Sequence, residues 1–206
     1  MGAMTSGLKV YSSIDHAADV CVVLPTFNPS REQLSLALNS IACQTHLPAE
    51  IIIVDDASTV EPPENAIPEP IRCRTHILQM KSNRGPSAAR NAGVAAASQR
   101  TIAFLDQDDI WHPDVVLQHC VFRDQLHALA SSVGAFSCNS TSIVNRGLPE
   151  DDRLTFSMIA QSTAIHTMSA FAVERDTYNA IGGLNEQLWV CMDLDFYLRF
   201  LQKHTI

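Results

Sequence analysis

The chain has 206 residues, 46% of them hydrophobic, with a net charge of −8 and six cysteines. That composition supports one sizeable core rather than two, and acids spread along the chain exclude a nucleic-acid surface. No basic segment precedes an apolar run near the start, and no apolar stretch reaches the roughly 18 residues of a membrane span, so neither a signal peptide nor a transmembrane helix is expected.

Met1-Gly2-Ala3-Met4 reads as an expression scar ahead of a second start methionine, and residues 1–19 as an extension before the folded unit. Val20-Cys-Val-Val-Leu24 is a continuous apolar run leading into Pro25-Thr-Phe-Asn28. Such β-branched runs read as strands buried on both faces, as in a parallel sheet. Residues 31–44 carry Leu34, Ala37, Leu38 and Ile41 at helical spacing, with Ser30 and Gln33 placed as a capping box. A second strand, Ile51-Ile-Ile-Val54, ends at Asp55-Asp56-Ala-Ser58. Beyond a loop with Pro62, Pro63, Pro68 and Pro70, a third strand is expected over 74–80 and an alanine-rich helix over 87–98. The cysteines at 21, 43, 73, 120, 138 and 191 occur singly, without a C-x-x-C pair. Buried free thiols in a reducing compartment are therefore expected, not a zinc or redox motif.

The fourth apolar run, Thr101-Ile-Ala-Phe-Leu105, stops at Asp106-Gln107-Asp108-Asp109, three carboxylates within four residues. Such a cluster repels itself unless a proton or a divalent cation sits among the oxygens, and holding a metal that holds phosphate is the usual reason to build it. The alternative is an acidic strand-to-helix turn, with Asp109 or Asp114 serving the next helix. Positive charge comes from Lys81, Arg84 and Arg90, just before and within the helix over 87–98. Backbone N–H groups at a helix start and arginine forks both suit phosphate. The alternative there is a simple Gly85-Pro86 turn, with Arg90 on a solvated helix face. Later in the chain, an i,i+4 pair of Asp195 and Arg199 marks a helix over 193–202. Strands and helices that alternate, with acids at the strand ends, describe an open α/β sheet whose ligands gather at the carboxyl edge.

In order, LPTFN, IIIVDDAS, NRGPSAARNAG, FLDQDD and GGLNE followed by MDLDFYLR resemble glycosyltransferase family 2, the inverting nucleotide-sugar transferases. The resemblance implies a GT-A fold: a Rossmann-like, mostly parallel central sheet with helices on both faces. It implies a single catalytic domain over 20–206, truncated at its C-terminus. Pro25, Thr26, Phe27 and Asn28 match the nucleoside-contacting loop. Asp55 and Asp56 match an acidic pair that accepts from the base or ribose, and a carboxylate suits the N3–H of uracil. Arg84 matches a residue near the base and phosphates. Asp106 and Asp108 match the D-x-D, with Asp106 and Gln107 on the nucleotide-sugar side and Asp108 on a Mn²⁺ or Mg²⁺ ion. His166 stands where some relatives complete the metal shell.

Asp193 matches the family's general base, preceded by Met192 where relatives usually carry glutamate. Trp189, in the loop before it, is the acceptor-side aromatic, whereas Trp111 reads as a packing anchor. The implied partners are a nucleotide diphosphate sugar, a UDP-sugar by the uracil argument, and a glycan, lipid-linked or other hydroxyl acceptor. The implied setting is bacterial polysaccharide or surface-glycan synthesis, in the cytoplasm or peripheral at the inner membrane face through a C-terminal part beyond residue 206. A non-catalytic or incomplete nucleotide-sugar-binding domain is the main alternative. A dehalogenase-type phosphatase also places D-x-D after an apolar strand, but on its first strand and with Thr or Val where Ile110 stands here.

Overall fold

A computed structural model of the chain describes residues 18–60, 64–122, 128–130, 134–137, 140–145 and 167–204. Six strands form the main sheet. They are β1 (Ala18–Thr26), β2 (Pro48–Asp55), β3 (Thr75–Gln79), β4 (Thr101–Phe104), β5 (Ala128–Ala130) and β8 (Phe171–Glu174). Their spatial order is β3-β2-β1-β4-β8-β5. The four strands β3, β2, β1 and β4 run parallel, and β8 is antiparallel to both β4 and β5. A separate hairpin pairs β6 (Gly134–Ser137) with β7 (Ser140–Asn145).

The alternation of strand side chains divides the core in two. Cys21, Val23, Ile52 and Val54 face one side, together with α3 (Pro86–Ala96), α5 (Arg175–Ile181) and α6 (Met192–Leu201). Val20, Val22, Leu24, Ile51 and Ile53 face the other, with α1 (Arg31–Ala42) and α4 (Val115–Phe122). Both faces of the sheet are thus covered, which is why its strands read as unbroken apolar runs. Phe171 and Phe196 meet edge to face, 5.9 Å between ring centroids, and anchor α6 to β8. Gly93 sets how closely α3 lies on the sheet. A Cβ there would stand 2.4 Å from a Val23 methyl, so any side chain would lever the helix off β1.

Three local expectations change. Ser30 is the N-cap residue of α1, but its side chain makes no cap hydrogen bond. The capping box is absent, because Ser30 and the first turn to Gln33 are exposed and solvent can satisfy those N–H groups. The proline-rich loop contains a short helix, α2 (Glu69–Arg72), with proline in its first turn. No disulfide joins the described cysteines, but among them only Cys21 is buried. Cys43, Cys73 and Cys191 are exposed at helix ends. Trp111 is the packing anchor expected, 4% exposed, with its indole N–H donating to the Ser169 carbonyl at 2.7 Å. No helix among the described residues is long and apolar enough to cross a membrane.

His119 lies edge-on to Trp111 inside α4, and neither ring nitrogen has a hydrogen-bond partner among the described residues. Burial pushes its pKa down to about 4, so the fold holds it neutral while the unfolded chain protonates it near 6.5. Its stabilising share is therefore whole above pH 6.5 and is lost as pH falls towards 4, on the order of 3 kcal/mol. Urea unfolding of wild type and His119→Leu across that window checks this. The wild type should lose stability relative to the variant as pH falls; parallel profiles would contradict it.

Candidate active site at the carboxyl edge of the sheet

The parallel strands β1, β2 and β4 end at one rim, with Thr26 in register with Asp55 and Val23 with Phe104. The loops that follow enclose a cavity of about 400 Å³, within the range of small-molecule sites. The first strand contributes Pro25, Thr26 and Phe27, the second Asp56, and the fourth Asp106, Gln107 and Asp108. The start of α3 adds Asn83, Gly85, Pro86, Ala89 and Arg90, and Trp189 closes one side. Eight of the residues expected from sequence therefore meet in a single space.

The acids do different things within it. Asp56 is 3% exposed, and its two carboxylate oxygens accept the backbone N–H groups of Arg84 (2.9 Å) and Gly85 (2.7 Å). The anion expected at the start of α3 is thus the chain's own. Gly85 takes φ +87 to offer its N–H, a conformation that glycine tolerates best. Asp55 is fully buried and does not line the cavity; one oxygen accepts both the N–H and the hydroxyl of Ser58, and the other has no hydrogen-bond partner among the described residues. Asn28 also lies outside the lining. Its amide oxygen accepts from the Thr59 N–H and hydroxyl, and its own N–H donates to Ser58 at 2.8 Å, so these side chains lock the first two loops together.

Asp106 pairs with Arg90 through one oxygen and accepts the Thr167 hydroxyl at 3.1 Å with the other. Arg90 is only 6% exposed, so it is not on a solvated helix face. Gln107 bridges the loops by accepting the Phe27 N–H at 3.0 Å. Asp109 is half-buried, and desolvation, the largest cause, raises its pKa above the usual carboxylate value, with the Asp106 charge adding to it. Asp108 is exposed at the rim and makes no hydrogen bond or ion pair among the described residues. It is the carboxylate available for a cation. Among the described residues no group of three or more His, Cys, Asp or Glu side chains is assembled around a metal position. One carboxylate with diphosphate and water oxygens nevertheless fits the hard-oxygen preference of Mg²⁺ or Mn²⁺.

Arg84 does not line the cavity. Its guanidinium meets Glu186 at 2.5 Å, on the loop between α5 and α6. That loop is held by Asn91 of α3, whose amide takes part in four hydrogen bonds, to Tyr178, twice to Leu184 and to Glu186. The loop presents Trp189, 66% exposed, against Gly85 and reaches α6 through Cys191 at φ 56. Asp193 stands in the first turn of α6, outside the lining. Its charge and that of Asp106 both bear on the Tyr197 hydroxyl, whose pKa is raised well above its ordinary value, chiefly by burial. Asp195 forms the expected pair with Arg199 at 2.7 Å. Met192 packs, half-buried, against the core beneath α6. His166 lies outside the described residues. Sequence reading singled out Arg90 as a phosphate-suited cation or a solvated helix residue but missed its pairing with Asp106. Ala89, Gly93 and Ala97 share its helical stripe and are buried, which is the pattern that would have turned it inward.

An α/β sheet with its ligand cavity at the carboxyl edge and acids at successive strand ends defines a GT-A type glycosyltransferase fold, and solved structures agree. Staphylococcus aureus TarS (residues 1–349) in complex with UDP-GlcNAc superposes with a TM-score of 0.67 at 24% identity, over 88% of this chain and 53% of that one. Mannosyltransferase PcManGT from Pyrobaculum calidifontis, in complex with GDP-Man and Mn²⁺, gives 0.60 at 21%, over 84% and 49%. The sequence model of Glycosyl transferase family 2 matches residues 21–177, and the chain belongs to that family. Among curated relatives, the succinoglycan biosynthesis protein ExoO of Rhizobium meliloti is 39% identical over 104 residues, 50% of this chain and 29% of ExoO. The putative teichuronic acid biosynthesis glycosyltransferase TuaG of Bacillus subtilis is 29% identical over 193 residues, 89% of this chain and 72% of TuaG. The chain thus spans less than a third of ExoO and most of TuaG.

The buried pair of Arg90 and Asp106 should be visible in stability. Arg90→Met keeps the side-chain bulk, leaves Asp106 without its counter-charge and should cost about 3 kcal/mol in urea unfolding. Adding Asp106→Asn should recover most of that loss. Strictly additive effects of the two changes would show that the pair is not coupled.

Proposed function

We propose that this chain binds a nucleotide diphosphate sugar in the carboxyl-edge cavity and transfers the sugar, with inversion, to an acceptor hydroxyl in polysaccharide or surface-glycan synthesis. The observation that carries this reading is the convergence of three strand-end loops and Trp189 on one cavity beside Asp108, an acid without a protein partner among the described residues. The names of ExoO and TuaG support the polysaccharide setting. Uridine is favoured as the base, because Asp56 keeps unused lone pairs beside the cavity for an N3–H, and the UDP-GlcNAc complex of TarS agrees.

In this reading Phe27, at the cavity wall, packs on the base, and Gln107 keeps the Phe27 loop in place. Asp106, fixed by Arg90 and Thr167, presents its edge to the ribose. Asp108 holds a divalent cation, which when bound supplies Lewis-acid neutralisation of the diphosphate. The Arg90 guanidinium, in the cavity wall, adds positive charge near the same group. Trp189 offers a ring face to a sugar at the cavity mouth. Asp193 removes the proton of the acceptor hydroxyl as its oxygen attacks the anomeric carbon from the side opposite the leaving diphosphate. Met192 supplies no second acid there and packs into the core instead. A donor-binding domain without transfer activity is the second reading, and Met192 is the residue that favours it.

Calorimetric titration of UDP-GlcNAc, with Mn²⁺ and with EDTA, tests the binding half. Wild type should bind more tightly with Mn²⁺, and Asp108→Asn should erase that difference while its EDTA affinity is retained. Equal wild-type affinity in both conditions would remove the metal from the site. Sugar transfer, to water or to an added acceptor, tests the other half: Asp193→Asn should lower it by about two to four orders of magnitude with donor affinity unchanged. Donor binding without any transfer by the wild type would favour the second reading.

A further inference from the structure

Thr167-Met168-Ser169 opens the turn ahead of β8 and lies outside the short motifs quoted for the family resemblance. Because β8 is antiparallel to β4, it begins beside the end of β4, where the acidic loop emerges. The Thr167 hydroxyl stands 3.1 Å from carboxylate oxygens of both Asp106 and Asp109. It also accepts the Ser169 N–H at 3.2 Å, which fixes its rotamer. Ser169, fully buried, accepts the Asp106 N–H with its hydroxyl oxygen at 2.8 Å and the Trp111 indole N–H with its carbonyl at 2.7 Å. The Thr167 carbonyl in turn accepts the Tyr197 hydroxyl of α6 at 3.4 Å. Two residues, Thr167 and Ser169, therefore grip the acidic loop at its backbone, at two of its three carboxylates and at its downstream tryptophan.

The grip is selective. Asp106 and Asp109 are drawn to one hydroxyl, while Asp108 between them accepts no hydrogen bond among the described residues and lines the cavity. We propose that Thr167 and Ser169 are positioning residues: they fix Asp106 in the cavity wall and draw Asp109 against the protein, so that Asp108 is the carboxylate presented to a divalent cation and the diphosphate it would hold. This rests on the nucleotide-sugar reading above. Without the Thr167 hydroxyl, Asp106 and Asp109 lose the donor they share, their repulsion is no longer bridged, and the loop can place Asp108 elsewhere. Residues that orient a metal ligand in this way are typically worth about 10- to 100-fold in metal affinity.

The test is the titration of UDP against wild type, Thr167→Val and Thr167→Ser, each with Mn²⁺ and with EDTA. Thr167→Val keeps the shape and removes the hydroxyl. It should forfeit about 10- to 100-fold of the metal-dependent gain in UDP affinity, with the EDTA affinity and the cooperative melt retained. Thr167→Ser should restore the gain, an outcome that a merely structural role for the threonine methyl does not produce. If Thr167→Val fails to fold, Ser169→Ala, which releases the Asp106 N–H and removes the Ser169 hydroxyl from the Asp109 carboxylate, should show the same selective loss. A variant lacking the hydroxyl but keeping the full gain overturns the proposal and leaves the donor reading standing. A wild type that binds no UDP under either condition overturns both.

Discussion

The Asp56 carboxylate, received by the N–H groups of Arg84 and Gly85, ties the end of β2 to the start of α3, and the cavity exists between them. Asp56 is 3% exposed, so its charge has little water and depends on those two donors. The helix start supplies them at a favourable electrostatic position, and Gly85 supplies the backbone angle that points its N–H inward. From this junction α3 runs across the sheet, close enough at Gly93 to touch Val23. Arg90 thereby reaches Asp106 two strands away. One side of the cavity is thus fixed by backbone groups, with no room for sliding between helix and sheet.

Five acids at this edge would repel one another in a net-negative chain, and each is handled separately. Asp55 is given to Ser58, Asp56 to backbone N–H groups, and Asp106 to Arg90 and Thr167. Asp109 shares Thr167, and its burial favours the protonated form. Asp108 has no such partner among the described residues. Engaging four acids with protein donors leaves Asp108 at the rim, where a cation and a diphosphate are expected to lie. The α6 side is coupled to this arrangement through Tyr197, which bonds the Thr167 carbonyl while Asp193 stands one helical turn earlier.

The fold was legible because parallel strands buried on both faces leave unbroken apolar runs, and β1, β2, β3 and β4 all stand where such runs or their neighbours lie. The rim was legible because strand ends are where the polar residues Thr26, Asp56 and Asp106 interrupt those runs. Partner choice was not. Arg84 and Arg90 look alike in sequence, yet one meets Glu186 at the surface and the other is buried against Asp106. Only the helical stripe shared with Ala89 and Gly93 distinguishes them. Thr167 and Ser169 carry no signal at all, because a hydroxyl's role depends on the antiparallel return of β8, a long-range pairing that no local pattern encodes. Ser30 shows the converse: a well-spaced capping motif that solvent exposure makes unnecessary.

A crystal structure of this protein with UDP and Mn²⁺ bears most directly on the claim that the carboxyl-edge cavity is a nucleotide-sugar site. The diphosphate should lie against Asp108 through the cation, the uracil beside Phe27 and Asp56, and the Asp56 carboxylate should still accept from Arg84 and Gly85. UDP bound outside the space between Phe27 and Trp189, or a cation held without Asp108, would contradict it.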